Sequence, residues 1–319
     1  MLIEPRPAQR SGELALLADE AREYADEARS LGTMRVYHST MRAFGAWCSA
    51  NCVAGLPATP ETLSLYIAHL AKTLRPATIA NRVAAISVAH TLAGYETPTQ
   101  HGVVKAVMTG MRKRLGIAQT QKEAITVKDL RAMVTQCDTT LGGARDRALL
   151  LIGFASAMRR SELVALRCQD VRPVPEGVIL TLLKSKTNQL GQREEIAIPY
   201  GSDPNTCPVR AVQAWIVMAG HTDGPLFRHV TRHQQLRGGL TPQTVKDVVK
   251  KLAARAKIGD PRKYGGHSLR AGFATSAARA GKTEAAIMRQ GRWRSQMVAR
   301  RYVRQGTIWD DHAAIGIGL

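Results

Sequence analysis

Four side chains near the C-terminal end of the chain have the types and the spacing that phosphoryl transfer requires. Two short segments carry them: GGHSLRAGFAT contains His267 and Arg270, and GRWRSQMVARRYV contains Trp293 and Tyr302. The phenol of Tyr302 could attack a phosphorus atom, and the planar guanidinium of Arg270 matches two oxygens of a phosphate. A phenol has a pKa of about 10, so this tyrosine needs positive neighbours that favour the phenolate. Taken alone, a tyrosine in a basic helix more often packs or donates a hydrogen bond.

Two segments upstream contain side chains that could complete a phosphate site. Arg159 follows the apolar stretch ARDRALLLIGFASAM and is predicted to end that helix, with Glu162 three residues later able to hold it. Lys186 lies in the polar segment KSKTNQLGQREE, where a lysine is usually solvated but could reach over a phosphate. Lys184 would lie on the same face of the strand, so alternation alone does not choose between the two lysines. These residue types together predict that Tyr302 attacks a DNA phosphate.

The charge of the chain indicates a polyanionic partner. The 319 residues carry a formal net charge of +20, and the pI of about 10.3 is strongly basic. Such a balance favours binding to nucleic acid. An anionic membrane surface is the alternative, but no apolar run approaches the roughly 20 residues that span a bilayer. The sequence therefore predicts a DNA-binding protein without a membrane segment.

The cysteines and the first residues favour a cytoplasmic, nucleoid-associated protein. No charged segment followed by a long apolar run marks the start, and the five cysteines are scattered without a disulfide pattern. Cys48 and Cys52 are four residues apart and could bind a metal from one helix face. Since no histidine or second cysteine pair lies near them, no metal is expected.

The elements that must position the site are predicted to form two domains behind an acidic N-terminal arm. Residues 1–28 are rich in aspartate and glutamate and are expected to be a solvated tail or a docking segment. Residues 29–115 have helical spacing, with Thr33 and Thr59 as predicted N-caps and Gly94 after a helix end. This predicts a small helical DNA-binding domain. Its basic side chains between the apolar positions are the candidates for DNA contact: Arg35, Arg42, Lys72, Arg82, Lys105, Arg112 and Lys113.

A linker over residues 116–124 is predicted to precede a larger domain over residues 125–319. The segment GIAQTQKE has no apolar period, and Thr126 with Asp129 three residues later indicates a capped helix start. Apolar residues alternate on both sides of KSKTNQLGQREE, which predicts a β-hairpin with a long basic tip. Helical patterns return from TPQTVKDVVKKLAARAKI onwards. The predicted fold class is mainly α with a small β-hairpin or sheet, an α+β arrangement.

The combination of motifs resembles that of the tyrosine recombinases, the phage integrase family, and among them the Cre branch. The family's first catalytic arginine motif is matched by AMRRSEL, which gives Arg159 and Glu162. Its hairpin lysine is matched by LKSKT, which gives Lys186, and its H-x-x-R motif is matched by GGHSLR. The family's last pair is a histidine or tryptophan followed nine residues later by the nucleophile, and Trp293 and Tyr302 have this spacing (302 − 293 = 9).

The resemblance implies a role for each residue of the site and no cofactor. Tyr302 would form a 3′-phosphotyrosine while Lys186 protonates the departing 5′ oxygen. The remaining residues would act on the phosphate or on one another: Arg159 and Arg270 by neutralising charge, Trp293 by donating a hydrogen bond, His267 by donating one or relaying the tyrosine proton, and Glu162 by orienting its neighbours.

The resemblance also implies a C-shaped two-domain clamp on double-stranded DNA, inverted-repeat target sites and a homotetramer assembled on two of them. A helix corresponding to the family's major-groove helix contains Gln243, which could read an adenine edge or be an ordinary surface residue. Lys246 and Lys250 on that helix would hold phosphates. Arg160 is either a phosphate contact or solvated, and Lys184, which the motif does not select as the catalytic lysine, is a further candidate for DNA contact.

Two other functions stay open from the sequence. A type IB topoisomerase-like enzyme would share the arginines, the lysine and the tyrosine, but it needs neither a helical domain of this kind nor a tetramer. A DNA-binding protein without catalysis is the other alternative, and the intact motif set argues against it. The target sequence, the accessory proteins and any docking of the tail after Tyr302 onto a neighbouring protomer are not fixed by these patterns.

Overall fold

A computed structural model describes residues 31–116, 122–182 and 193–307, with the isolated positions 16, 17, 20, 24 and 314. The chain divides into two units, Met1–Gln119 and Thr120–Leu319, and the division lies inside the segment predicted as a linker. Lys184 and Lys186, and most of the predicted acidic arm, lie outside the described residues. Within the described ranges, no helix is both long and apolar enough to cross a membrane.

The first unit is built from helices whose starts follow from local capping. Their bounds are α1 Leu31–Ala50, α2 Pro60–Ala71, α3 Pro76–Leu92 and α4 Gly102–Leu115, with a 3₁₀ turn over Pro98–Gln100. The hydroxyl of Thr59 accepts a hydrogen bond from the amide of Thr62, and Pro60 takes the first helical position, as predicted. The prediction that Thr33 is an N-cap is wrong. Helix α1 already begins at Leu31 because the helical pattern there outweighs the low helix propensity of threonine.

The core of this unit is aromatic and aliphatic. The rings of Phe44 and Tyr66 lie 4.8 Å apart between centroids, and both side chains are buried. His90 is also buried and uses both ring nitrogens, since Nε2 accepts from the amide of Ala58 and Nδ1 faces the carbonyl of Ile86, each at 2.8 Å. A satisfied buried histidine of this kind has a structural role, because it joins the segment before α2 to α3.

The second unit combines helices with two small antiparallel sheets. Its helices are α5 Val127–Val134, α6 Leu141–Ala155, α7 Arg160–Ala165, α8 Pro208–Ala219, α9 Pro242–Arg255, α10 Gly266–Arg279, α11 Glu284–Gly291 and α12 Gln296–Gly306. Its strands are β1 Val171–Val174, β2 Gly177–Leu182, β3 Glu194–Pro199, β4 Arg228–Val230 and β5 Leu236–Gly239. Short 3₁₀ turns lie at Cys168–Asp170, Pro204–Thr206 and Pro261–Lys263.

The predicted hairpin is present as β2 and β3, in the register that buries its apolar residues. Val178 pairs with Ile198 and Leu180 with Ile196, and all four side chains are buried. Strand β1 pairs with β2 in the same sheet, and β4 pairs with β5 in a second one. These three strands were not predicted, because they are short and largely half-exposed and therefore lack a clear alternation.

The prediction that Arg159 ends the long apolar helix is wrong. Helix α6 ends at Ala155, and Arg159 is the N-cap residue of α7. The helix stops because Ala157 has a φ of 48°, in the left-handed region that an α-helix cannot contain. Arg159 therefore lies at the start of a new helix. Its side chain is 19% exposed, whereas those of Leu149–Ile152 in α6 are buried in the apolar core.

Candidate active site

Helix α10 holds both residues of the H-x-x-R motif, which are three residues apart and differ in burial. His267 lies in its exposed first turn, whereas Arg270 is 4% exposed. The segment before α5 crosses this helix closely, with the amide of Ile125 donating to the carbonyl of Ser268 at 3.1 Å. Gly272 permits this approach, because a Cβ there would overlap the carbonyl of Ile125. The crossing segment thus packs directly against the first turns of α10, on which Arg270 lies.

The guanidinium of Arg270 has one buried donor that no described residue accepts. Its central carbon lies 4.1 Å from the ring centroid of Trp293, and its Nη1 donates to the carbonyl of Ala157. Its Nη2 is buried and has no hydrogen-bond acceptor among the described residues. Burial, and then the charges of Arg159 and Arg292, lower the pKa of Arg270 to about 9, so the group stays protonated at neutral pH. An oxyanion at Nη2 would satisfy both the donor and the excess positive charge.

A buried carboxylate orients the second arginine. The backbone amide of Arg159 donates to Oε2 of Glu162 at 3.0 Å, and its Nη1 lies 2.5 Å from Oε1. The side chain of Glu162 is only 2% exposed, whereas that of Arg159 is 19% exposed. Since the acid is buried and the arginine reaches the surface, the pair is more than a routine surface contact between residues three apart.

The electrostatic surroundings keep Glu162 ionised. Burial raises its pKa, but the hydrogen bonds from the amide and side chain of Arg159 and the charge of Arg292 lower it more, so the net shift is downward. Arg292 contributes directly, because its Nη2 lies 2.7 Å from Oε2 of Glu162. The two oxygens of one carboxylate therefore contact two different arginines.

Trp293 and Tyr302 lie next to this cluster. Helix α11 ends at Gly291, and a Cβ at that glycine would overlap the indole of Trp293, which is 8% exposed. The ring centroids of Trp293 and Tyr302 are 5.8 Å apart with their planes at 43°. Tyr302 is half-buried on helix α12. The backbone carbonyl of Tyr302 accepts a hydrogen bond from the hydroxyl of Thr275 on α10 at 3.4 Å.

Five of the sequence-predicted site residues are thus connected by contact or by charge: Arg159, Glu162, Arg270, Trp293 and Tyr302. His267 is exposed and lies one helical turn before Arg270 on α10, and Lys184 and Lys186 lie outside the described residues. Sequence reasoning missed Arg292. Its one signal is an arginine directly before Trp293 and after a glycine, which no helical or strand periodicity distinguishes.

The candidates for DNA contact are mostly at the surface. In the first unit the exposed ones are Arg35, Arg42, Lys72, Lys105, Arg112 and Lys113, whereas Arg82 is half-buried, with Nη1 3.5 Å from the hydroxyl of Tyr66. In the second unit Arg160 is exposed and Lys246 and Lys250 are half-buried. Gln243 is exposed on α9, and its side-chain amide donates to Asp247 at 2.8 Å.

The fold and the site define a class of protein, and comparisons with known sequences identify it. Residues 123–307 match the phage integrase family. An integrase/recombinase xerD homolog of Selenomonas ruminantium is 38% identical over 318 residues, covering 98% of this chain and 92% of that protein. The recombinase cre of Escherichia phage P1 is 25% identical over 299 residues, covering 87% and 85%. The chain belongs to the phage integrase family, the tyrosine recombinases, as the motifs predicted.

Solved structures support the same fold. A lambda integrase dimer bound to a COC′ core site has a TM-score of 0.62 at 15% identity, covering 91% of this chain and 77% of that one. The Tn1549 transposon integrase in complex with transposon right end DNA has a TM-score of 0.62 at 15% identity, covering 89% and 92%. The predicted fold class, mainly helical with small antiparallel sheets, is confirmed.

Proposed function

We propose that this chain is a site-specific DNA recombinase that cuts and rejoins two duplexes through a 3′-phosphotyrosine intermediate. The observation that carries the proposal is Arg270, a buried guanidinium with a donor left over. It lies over Trp293, which in turn contacts the ring of Tyr302. A phosphate bound there would have the nucleophile beside it and Arg159, held by Glu162, as a second cation.

In the proposed reaction, Oη of Tyr302 attacks the scissile phosphorus and the bond from phosphorus to the 5′ oxygen breaks. The electron pair of that bond goes to the 5′ oxygen, which takes a proton from Lys186. Arg159 and Arg270 neutralise the charge that grows on the non-bridging oxygens, and preorganised donors of this kind typically lower a barrier by about 2.7–4 kcal/mol each. Trp293 donates a further hydrogen bond.

The phenol proton needs an acceptor, and the exposed position of His267 on the first turn of α10 allows it to exchange protons with bound DNA or water. His267 therefore relays this proton or donates to the phosphate. The phosphotyrosine ester retains the energy of the phosphodiester, so the proposed chemistry uses no nucleotide and no metal. A 5′-hydroxyl from another strand attacks the ester, which releases Tyr302 and joins the new strand.

Exchange between two duplexes requires four strand cleavages, so we propose a homotetramer assembled on two inverted-repeat sites. The DNA partner is supported by the net charge of +20 and by the DNA-bound state of the lambda and Tn1549 integrases. The exposed basic residues of the first unit would hold phosphates. Gln243 could read an adenine only by exchanging its present bond to Asp247 for a bond to the base.

The test is covalent capture. The purified protein, in a chelating buffer, is incubated with fragments of the DNA that flanks its gene, and wild type is compared with Tyr302→Phe on denaturing gels. We expect an adduct that survives SDS, disappears with protease and is absent from the variant. An adduct formed by Tyr302→Phe would overturn the assignment of the nucleophile.

A second assay separates recombination from nicking and closing. Two labelled duplexes that carry the captured site are mixed with wild-type protein, and the products are sized. Recombinant products are expected. Relaxation of a supercoiled plasmid with the same site, without any exchange product, would instead show a topoisomerase-like activity.

A further inference from the structure

Arg292 occupies a backbone conformation that disfavours its own residue type. It follows the last turn of α11 with φ 54° and ψ 44°, in the left-handed region where glycine is the usual residue after a helix. Its side chain is nonetheless buried, with 10% exposed. An arginine at such a position is retained at a conformational cost, so the contacts of the guanidinium must explain it.

Those contacts join three separate elements. Nη2 lies 2.7 Å from Glu162 on α7, and Nε lies 3.6 Å from Oε2 of Glu194 on β3, an ion pair too long to be a hydrogen bond. Nη1 lies 3.3 Å from the carbonyl of Ser156, at the end of α6, and from that of Gln290 in its own helix. The donors point into the protein, so this guanidinium is not placed to bind a phosphate itself.

The same contacts lie directly behind the proposed catalytic groups. Glu162 gives one oxygen to the side chain of Arg159 and the other to Arg292, which fixes the orientation of the carboxylate. The residue after Arg292 is Trp293, whose ring lies under Arg270. A shift of Arg292 would therefore move Arg159, through Glu162, and Arg270, through Trp293.

We propose that Arg292 is a positioning residue that holds Arg159 and Trp293 in register for the attack of Tyr302, with Glu194 anchoring the assembly to β3. This inference rests on the proposed recombinase function. It differs from a purely structural role in one respect: the contacts would matter more for the rate of cleavage than for folding or DNA affinity.

The left-handed backbone supplies a discriminating variant. Arg292→Gly removes the guanidinium while giving the backbone its preferred residue, which offsets part of the stability lost with the contact to Glu162. A pocket of about 450 Å³ lined by Glu194, Met288, Arg292 and Trp293 opens beside the side chain. Free guanidinium can therefore reach Glu194 from solvent in this variant, and it can reach Glu162 through the space that the Arg292 side chain leaves.

The experiment measures the single-turnover rate of adduct formation, the Kd for the captured site and the thermal unfolding of wild type and Arg292→Gly. We expect adduct formation to slow by up to about 100-fold, as a small misplacement of catalytic groups can cause. The Kd should change little, and the variant should stay folded at the assay temperature even though loss of the Glu162 contact lowers its unfolding temperature. Adding about 20 mM guanidinium chloride, far below the molar concentrations that unfold proteins, should restore at least part of the rate. The same concentration of sodium chloride should not.

Arg294→Ala is the matched control, since Arg294 is an exposed arginine that lines the same pocket. It removes one positive charge near the site, so any effect should be on the Kd and should not respond to guanidinium. Arg292→Lys keeps the charge but cannot bridge two carboxylates and a carbonyl, and an intermediate rate is expected.

The outcomes separate this inference from the proposed function. If wild type forms no adduct, the recombinase proposal fails first. If wild type cleaves and Arg292→Gly cleaves equally fast, or is slow but indifferent to guanidinium, the positioning role is overturned. Should Arg292→Gly fail to fold, Arg292→Lys decides: slower cleavage at unchanged Kd supports the role, and the wild-type rate refutes it.

Discussion

Replacing Arg270 by lysine tests the central cation of the site without changing its charge. In the protein as it stands, one nitrogen of Arg270 donates to the carbonyl of Ala157, another is left for an anion, and the planar group lies 4.1 Å from the centroid of Trp293. A lysine has a single nitrogen, so it can serve either the carbonyl or the phosphate from that depth, but not both in the same geometry.

The expected loss of cleavage rate depends on the contacts of Arg270 that form only in the transition state. Loss of one preorganised donor to the phosphate costs about 2.7–4 kcal/mol, which is about 10²–10³-fold in the cleavage rate. The stack of Arg270 on Trp293 is made in the free protein too, so its loss of about 0.5–2 kcal/mol affects stability more than the rate. Because a bound phosphate favours the charged form of lysine, the number of phosphates neutralised in the complex and the salt dependence of DNA binding should not change.

The assay is single-turnover formation of the phosphotyrosine adduct at saturating protein, with the Kd measured separately by titration at fixed salt. Arg279→Lys is the matched control, since Arg279 is exposed on the same helix. It should leave the rate within about threefold of wild type, as surface substitutions usually do. A loss below about tenfold in Arg270→Lys, or a loss that saturating protein removes, would refute the assignment of Arg270 to the transition state.

Three further substitutions test other parts of the site. Because the pKa of Glu162 is lowered from 4.5, its contribution to stability is present at neutral pH and is lost as the pH falls through the folded-state value. Urea titrations should therefore show Glu162→Gln less stable by about 3–5 kcal/mol at pH 7, with a smaller difference below the ordinary carboxyl pKa. Gly291→Ala should displace Trp293 and slow adduct formation by up to about 100-fold at an unchanged Kd. Gly272→Ala should collide with Ile125 and lower the free energy of unfolding by about 1–3 kcal/mol in thermal melts.

Gly110 offers a matched control for the glycine variants, and two results would contradict these predictions. Gly110 lies inside α4 with open space where a Cβ would be, so Gly110→Ala should stabilise the protein by about 0.5–1 kcal/mol. A similar gain in Gly272→Ala would mean that the close crossing of α10 is wrong. A pH-independent difference for Glu162→Gln would mean that the ionised carboxylate does not contribute to stability.

The parts of the fold that depend on local signals were predictable from the sequence. Thr126 and Asp129 form the expected capping box, with the hydroxyl accepting from the amide of Asp129 and the carboxylate accepting from that of Thr126. The alternation around Val178 and Ile198 predicted both the hairpin and its buried face. These features depend on residues close in sequence or on a period of two, so the sequence alone carries them.

The parts that depend on tertiary contacts were not predictable. Nothing local shows that Ala157 adopts a left-handed conformation, and this single residue moves Arg159 from the end of one helix to the start of another. Arg292 was missed for a related reason. Its partners Glu162 and Glu194 are far away in sequence. The burial of Arg292 can therefore be recognised only from the folded structure, in which the two carboxylates surround it.

The alanine-lined contact between α10 and α12 has a consequence for how the helix that carries Tyr302 is held. Ala274 and Ala278 on α10 meet Ala299 on α12, and Tyr302 and Val303 are only partly buried there. Each buried methyl group contributes roughly 0.8 kcal/mol, so α12 is attached by less apolar surface than a leucine-rich helix would be. Displacing α12, and Tyr302 with it, would therefore break fewer apolar contacts than displacing a leucine-packed helix.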